Sequence, residues 1–262
     1  MTVDLAQYEA TIRRLDSGLA ELSRLVHQLP AAAAAAAGRW YMTDPMSFSL
    51  TRLADALAGA GAHGIAQVRD LMRGAAAPYL LIGDVQVWGD VRGIATAFVG
   101  GLQPAALSVD YYWRGRAAEA YKSVIPAHTA AAGRIGVMAD KTQAALGWSV
   151  SAALAFYAGL LVVVIQLIVG FVSVLAILGT VVFSWAGLVL AVEEASVGWI
   201  EVGVLTALLA TALGTQVVQL GNLHSEAADA SAFPGGHWPG SSTDRYSDAT
   251  VTDGDAEWSI ER

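Results

Sequence analysis

Cysteine is absent from the 262 residues, which removes disulfide frameworks, thiolate metal sites and cysteine nucleophiles without fixing the compartment. Charge is scarce as well. Only 15% of residues are Asp, Glu, Lys or Arg, against about 25% in an average soluble domain. What charge there is lies unevenly: residues 1–150 hold 13 basic and 12 acidic side chains, whereas 151–262 hold 2 and 11. With a net charge of -8 and no basic patch, nucleic acid is not an expected partner. The opening Met1-Thr-Val-Asp-Leu-Ala-Gln-Tyr-Glu has acids where a signal peptide has its basic region, and no apolar core follows, so any export is expected to proceed without an N-terminal signal. His-Glu-x-x-His, phosphate-loop and Gly-x-Ser-x-Gly patterns are missing, and the five histidines are scattered at 27, 63, 128, 224 and 237. Catalysis needs convergent polar groups in a pocket; the sequence supplies no such set, so no enzyme, cofactor or metal site is expected.

What is abundant is apolar surface. The hydrophobic fraction is 55% and the mean hydropathy +0.49. From Thr142 to Val192 there is no Asp, Glu, Lys or Arg, and a second apolar run extends from Val197 to Leu220. A bilayer core of roughly 30 Å takes about 20 helical residues to cross. The first block is therefore long enough for two spans, with a break at Gly170 or at Gly179-Thr180. Two or three spans are expected; three would lie near 152–171, 173–192 and 200–220. Trp148, Tyr157, Trp185 and Trp199 lie near their ends, where aromatic rings favour the headgroup layer. Glu193-Glu194 falls between the apolar runs and reads as a charged loop. Gly203, Ala207, Thr211 and Thr215 recur at every fourth position, a small-residue stripe that lets two helices approach closely.

Ahead of this block the chain reads as helices. Leu5, Tyr8, Ile12, Leu15, Leu19, Leu22, Val26 and Leu29 alternate spacings of three and four, a coiled-coil-like seam; Pro30 is expected to end it or to open a new turn, with the helix-compatible alanine run 31–37 as a connector. Asp44-Pro45 gives an N-cap followed by proline at the first helical position, and Leu50, Leu53, Leu57, Ala60, Gly64, Val68 and Leu71 mark a second seam. Gly59, Gly61 and Gly64 spell Gly-x-Gly-x-x-Gly, but no strand precedes them. Close helix approach or chance is then the reading, because a nucleotide turn needs a strand on one side. A third helix is expected over 85–107 on Val87, Val91, Ile94, Phe98 and Leu102. A fourth starts near Arg116 and carries Ala118, Tyr121, Ile125, His128, Ala132, Ile135 and Ala139. Short connections favour an antiparallel bundle.

Between the third and fourth helices stands Tyr111-Tyr-Trp-Arg-Gly-Arg-Ala-Ala-Glu-Ala-Tyr121. With Trp113-Arg114-Gly115 followed by Ala117-Ala118 and Tyr121, residues 85–147 resemble the WXG100 (ESX) family of type VII secretion, in which Trp-x-Gly forms the turn of a helical hairpin. The resemblance implies a non-enzymatic protein that pairs with a partner helical hairpin or with the secretion machinery; residues 3–75 could play the partner's part in cis. Such substrates or their partners often carry Tyr-x-x-x-Asp/Glu after the second helix. No tyrosine here has an acid four residues on, which leaves that signal to a partner.

The fold expected is all-α: helical hairpins over 1–77 and 78–147 forming an antiparallel bundle, two or three transmembrane-type helices over 148–221, and a disordered acidic tail over 222–262, too poor in apolar residues to fold alone. Trp238 and Trp258 stand out in that tail as contact points for another protein. The function expected is that of a secreted or secretion-associated effector that inserts apolar helices into a membrane, with lipids as partners and with self-assembly into a homo-oligomer open to it. The alternative is a resident integral membrane adaptor with a cytoplasmic bundle.

Overall fold

The computed structural model describes residues 5–103, 106–107, 113–180, 185–240 and 259–260. Among the described residues the protein is all-α apart from one two-residue antiparallel pairing, with five α-helices: α1 (Leu5–Ala37), α2 (Asp44–Met72), α3 (Ala77–Gly101), α4 (Arg116–Gly179) and α5 (Trp185–Ala227). A 3-10 turn over Arg73–Ala76 joins α2 to α3, and further 3-10 turns lie at Ala230–Ala232 and Pro234–Gly236. The pairing joins β1 (Trp113–Arg114) to β2 (Ser259–Ile260), with Trp113 opposite Ile260.

Several element ends differ from the periodicity. Pro30 lies inside α1, which continues through the alanine run to Ala37; alanine has the best helix propensity and sustains the extra turns. Thr43 rather than Asp44 is the N-cap of α2, and it makes no side-chain capping bond. The third helix begins at Ala77, eight residues before the start expected. No break occurs at Gly170: α4 runs unbroken to Gly179, where Thr180 N–H closes the end on Ile177 O at 3.2 Å. Glu193 and Glu194 are not in a loop, because α5 passes through them. Helix α5 also continues past Leu220 to Ala227. Of the tail expected to be disordered, residues 222–240 hold the end of α5 and two 3-10 turns; residues 241–258, with Trp258, lie outside the described residues.

The helices contribute to two compact units, each discontinuous in sequence: Met1–Leu80 with Ser149–Gly214, and Leu81–Trp148 with Thr215–Arg262. In the first unit, α1 and α2 are antiparallel. The Tyr8 hydroxyl donates to Ala75 O at 2.8 Å at one end, and Ser47 Oγ donates to Ala37 O at 2.9 Å at the other. In the second, the start of α4 runs antiparallel to α3: Gln143 Nε2 donates to Val85 O at 3.2 Å, Arg92 pairs with Asp140 at 2.9 Å, and Gly136 meets Ala95.

Candidate functional site

The first unit is built around the apolar stretch of α4. Its residues Leu160, Val164, Leu167, Phe171, Val174 and Leu178 are all at most 2% exposed. They share one core with Leu15, Leu19, Leu22, Val26 and Leu29 of α1 and with Leu50, Ala54, Leu57, Ile65 and Val68 of α2. From Tyr8 to Leu29 the seam predicted for α1 is thus its buried face, with Ile12 half-buried, whereas Leu5 at its start is 39% exposed. In α2, Ala60 is exposed and Ala54 and Ile65 are buried instead.

Three glycines set how closely these helices approach. A Cβ at Gly18 would lie 2.9 Å from Val164 Cγ1, and one at Gly61 would lie 2.8 Å from Val26 Cγ2 and 3.2 Å from Phe171 Cζ. One at Gly159 would lie 3.1 Å from Leu205 of α5. Two of the three belong to α1 and α2, so the cover sits on α4 at near-backbone distance. Of the Gly-x-Gly-x-x-Gly residues, Gly61 is a close-approach position, whereas Gly59 has nothing within 4 Å.

Polar groups fix the two ends of the cover. At one end the Tyr157 hydroxyl donates to Leu71 O at 3.0 Å, and Tyr8 stacks against Tyr157 and Tyr79 with ring centroids 5.8 and 5.1 Å away. Burial, and then the neighbouring Tyr157 and Tyr79, push the Tyr8 hydroxyl far above the ordinary tyrosine range. At the other end Arg39 Nη2 donates to Leu178 O at 2.6 Å. A cation there meets carbonyls that have no partner within the helix and the negative end of its dipole.

The opposite face of α4 is bare. Val162, Ile165, Val169 and Val172 are 47–55% exposed. Along α5, Val202 is buried and Leu205 and Leu209 pack against the same core, while Ile200, Val204 and Leu208 are 53–67% exposed. Among the described residues, two helices, Ala118–Gly179 and Ile200–Ala227, are by length and composition long and apolar enough to cross a membrane. In their most apolar stretches 39% and 11% of residues are buried, so it is the first that the chain covers.

The small-residue stripe lies on the bare side. Gly203, Ala207, Thr211 and Thr215 are all exposed, nothing lies within 4 Å of a Cβ at Gly203, and the Thr211 hydroxyl donates back to Ala207 O at 2.9 Å. The stripe is not the face by which α5 packs on α4; Val202 and Leu205 are.

In the second unit the residues between α3 and α4 have a defined backbone at Trp113–Gly115. Gly115 takes φ +108°, a region that favours glycine, and its carbonyl accepts the Glu119 N–H at 3.1 Å to start α4. The stripe of α3 is open: Val87, Ile94 and Phe98 are 46–71% exposed. An apolar groove of about 500 Å³ is lined by Val91, Ile94, Phe98, Ala132, Ile135 and Trp238. Trp238 Nε1 donates to His128 Nδ1 at 2.7 Å, and its ring meets Phe98 edge-on at 6.1 Å. The far end of α5 is tied to α4 by ion pairs of Arg134 with Glu226 at 3.0 Å and Asp229 at 3.1 Å, and of Lys141 with Glu226. Among the described residues no three His, Asp or Glu are grouped to hold a metal.

Sequence reasoning singled out neither Gly18 nor Arg39. A glycine midway along a leucine seam was the signal available for the first; nothing in the sequence points Arg39 to a residue 139 positions away. Compared with family models, with curated proteins and with solved structures, the chain matches none.

Proposed function

We propose that this is a non-enzymatic, membrane-inserting protein of the type VII secretion (WXG100-like) kind, held in a covered form in which α1 and α2 shield the most apolar helix. The observation that carries this reading is the seating of Leu15, Leu22, Leu29, Leu50 and Val68 on Leu160–Leu178. In that arrangement Arg14, Asp16 and Arg24 run exposed along the outside of α1, beside the part of α4 that would lie in hydrocarbon. A charge at the bilayer centre costs about 2.5–3.5 kcal/mol on insertion scales, so the seated cover and a spanning α4 exclude one another. The covered form belongs to water, and the membrane form requires that α1 and α2 leave.

The WXG100 likeness remains part of the proposal. What supports it is the Trp113-Arg114-Gly115 connection between antiparallel helices, together with the open stripe Val87, Ile94 and Phe98, which suits a partner hairpin. That same stripe favours the second reading, a resident membrane adaptor whose bundle binds partner helices.

Fractionation separates the two. An effector occurs in the culture supernatant or the soluble fraction, and the purified chain stays in solution without detergent and releases dye from liposomes. Recovery solely in carbonate-resistant membrane pellets, with no liposome leakage, rejects the effector reading and favours the adaptor.

A further inference from the structure

The turn between α1 and α2 carries aromatic side chains that the core does not use. Trp40 is 94% exposed and Phe48 63%, although Leu50, two residues on, is 1% exposed. The tip is firmly held. Arg39 N–H donates to Ala36 O at 3.3 Å and Met42 N–H to Arg39 O at 3.0 Å, while the Ser47 hydroxyl ties the start of α2 to the end of α1. Trp40 packs edge-on against Tyr41 with centroids 5.7 Å apart, and the Arg52 guanidinium lies 5.6 Å from the centre of the Phe48 ring. The rings are thus preset, and point away from the rest of their unit.

Where the tip sits matters as much as what it carries. Arg39 reaches from it to the Leu178 carbonyl, so the aromatics stand level with the end of the apolar run of α4. Tryptophan, tyrosine and arginine at the end of an apolar helix match the headgroup layer, where an apolar body and a polar or charged tip are both satisfied.

We infer that the Trp40–Phe48 tip is a membrane-docking surface: Trp40 and Phe48 enter the headgroup layer of a lipid bilayer while α1 and α2 still cover α4, so that contact precedes insertion. The occupant is lipid, not a protein, and the inference rests on the membrane-inserting reading above.

The test uses the full chain and vesicles of phosphatidylcholine with and without phosphatidylglycerol. Trp40→Ala/Phe48→Ala lowers vesicle affinity by about tenfold or more, as expected for losing two rings' worth of apolar burial. Its melting temperature and helicity stay those of the parent, since both side chains are exposed. Because the chain has no cysteine, Trp40→Cys carries a single environment-sensitive dye, which shifts blue and is reached by lipid-borne quenchers when vesicles are added. If the parent binds vesicles and the double variant binds equally well, or the dye at residue 40 stays in water, lipid docking by the tip is overturned while the membrane-inserting function stands. A change in oligomeric state with unchanged vesicle binding overturns it too, in favour of self-association. A parent chain that neither binds vesicles nor leaks them overturns both.

Discussion

If α4 inserts into membranes as proposed, loosening its cover should convert the water-borne form into the inserting one, and the size of the effect follows from the packing. Leu15 and Leu22 are both 0% exposed and belong to the core built on Leu160–Leu178. Replacing one buried leucine by alanine costs about 2–5 kcal/mol, through lost transfer energy and the cavity left behind. The two residues stand two helical turns apart, about 10 Å, far enough for their effects to add roughly. Leu15→Ala/Leu22→Ala thus weakens the cover by on the order of 4–10 kcal/mol, at least several hundredfold in the open-to-covered ratio. Dye release from liposomes is the assay, and its rate should climb until insertion itself becomes limiting.

The opposite perturbation guards against mere unfolding. A Cβ at Gly18 lies 2.9 Å from Val164 Cγ1, which is one bond from the Val164 Cβ, so a Gly18→Cys/Val164→Cys pair falls near the Cβ separation of about 3.5–4.5 Å that a disulfide needs. These are the chain's sole thiols. Oxidised, the bridge closes a loop longer than a hundred residues, worth about 5 kcal/mol, and holds α1 on α4; release should stop and return on reduction. If the oxidised variant leaks as fast as the reduced one, or Leu15→Ala/Leu22→Ala leaks no faster than the parent, the cover is not what restrains insertion.

Other consequences can be checked separately. Gly59→Ala, with open space around it, should stabilise by about 0.5–1 kcal/mol through helix propensity; Gly61→Ala, pressed against Val26 and Phe171, should lose that gain to overpacking of about 1–3 kcal/mol, so in thermal melts the two variants should move in opposite directions. Spin labels at Ile94 and Ile135, which line one groove, should report a separation near the roughly 10 Å between packed helices; about 60 Å, the length of one continuous helix, would exclude the antiparallel pair. Hydrogen bonds from the Ser231 backbone and side chain, with Arg134 beside them, hold the Asp229 carboxyl below the ordinary aspartate range. The stability this lends is complete above the ordinary aspartate range and is lost as pH falls through the lowered value. Carboxyl NMR titration should therefore place Asp229 below free aspartate, and Ser231→Pro, which removes the N–H, should raise it; an unshifted Asp229 contradicts the contact.

The helices themselves were largely legible, because burial on one face leaves a period in the residues. Tyr8, Leu15, Leu19, Leu22, Val26 and Leu29 were read as one seam and form one buried face. Helix ends were less so: Pro30 carries the strongest local stop signal in the first helix, yet it is passed over. The apolar block defeated periodicity altogether. A helix that is apolar around its circumference does not say which face is covered, so nothing in its residues distinguished buried Val164 from exposed Val162.

Which surface meets which was the part the sequence left open, since a leucine seam specifies an apolar partner of matching shape without specifying its address. Residues 3–75 were read as half of a bundle whose other half was the Trp-x-Gly hairpin. The seam instead lies on residues 156–178, more than a hundred positions along. The physical reason is in the exposures. Val87, Ile94 and Phe98 of α3 keep 46–71% of their surface in water, whereas Leu160, Val164, Leu167 and Phe171 bury nearly all of theirs under α1 and α2. The longest apolar run has most to gain from leaving water, at about 25 cal/mol per Å², and glycines at 18 and 61 let the cover come close enough to take that gain. A charged outer face on that cover then makes the gain conditional on water. On the proposed membrane-inserting reading, α4 needs no cover where bilayer replaces water, and the exposed Arg14, Asp16 and Arg24 become the reason for α1 to leave.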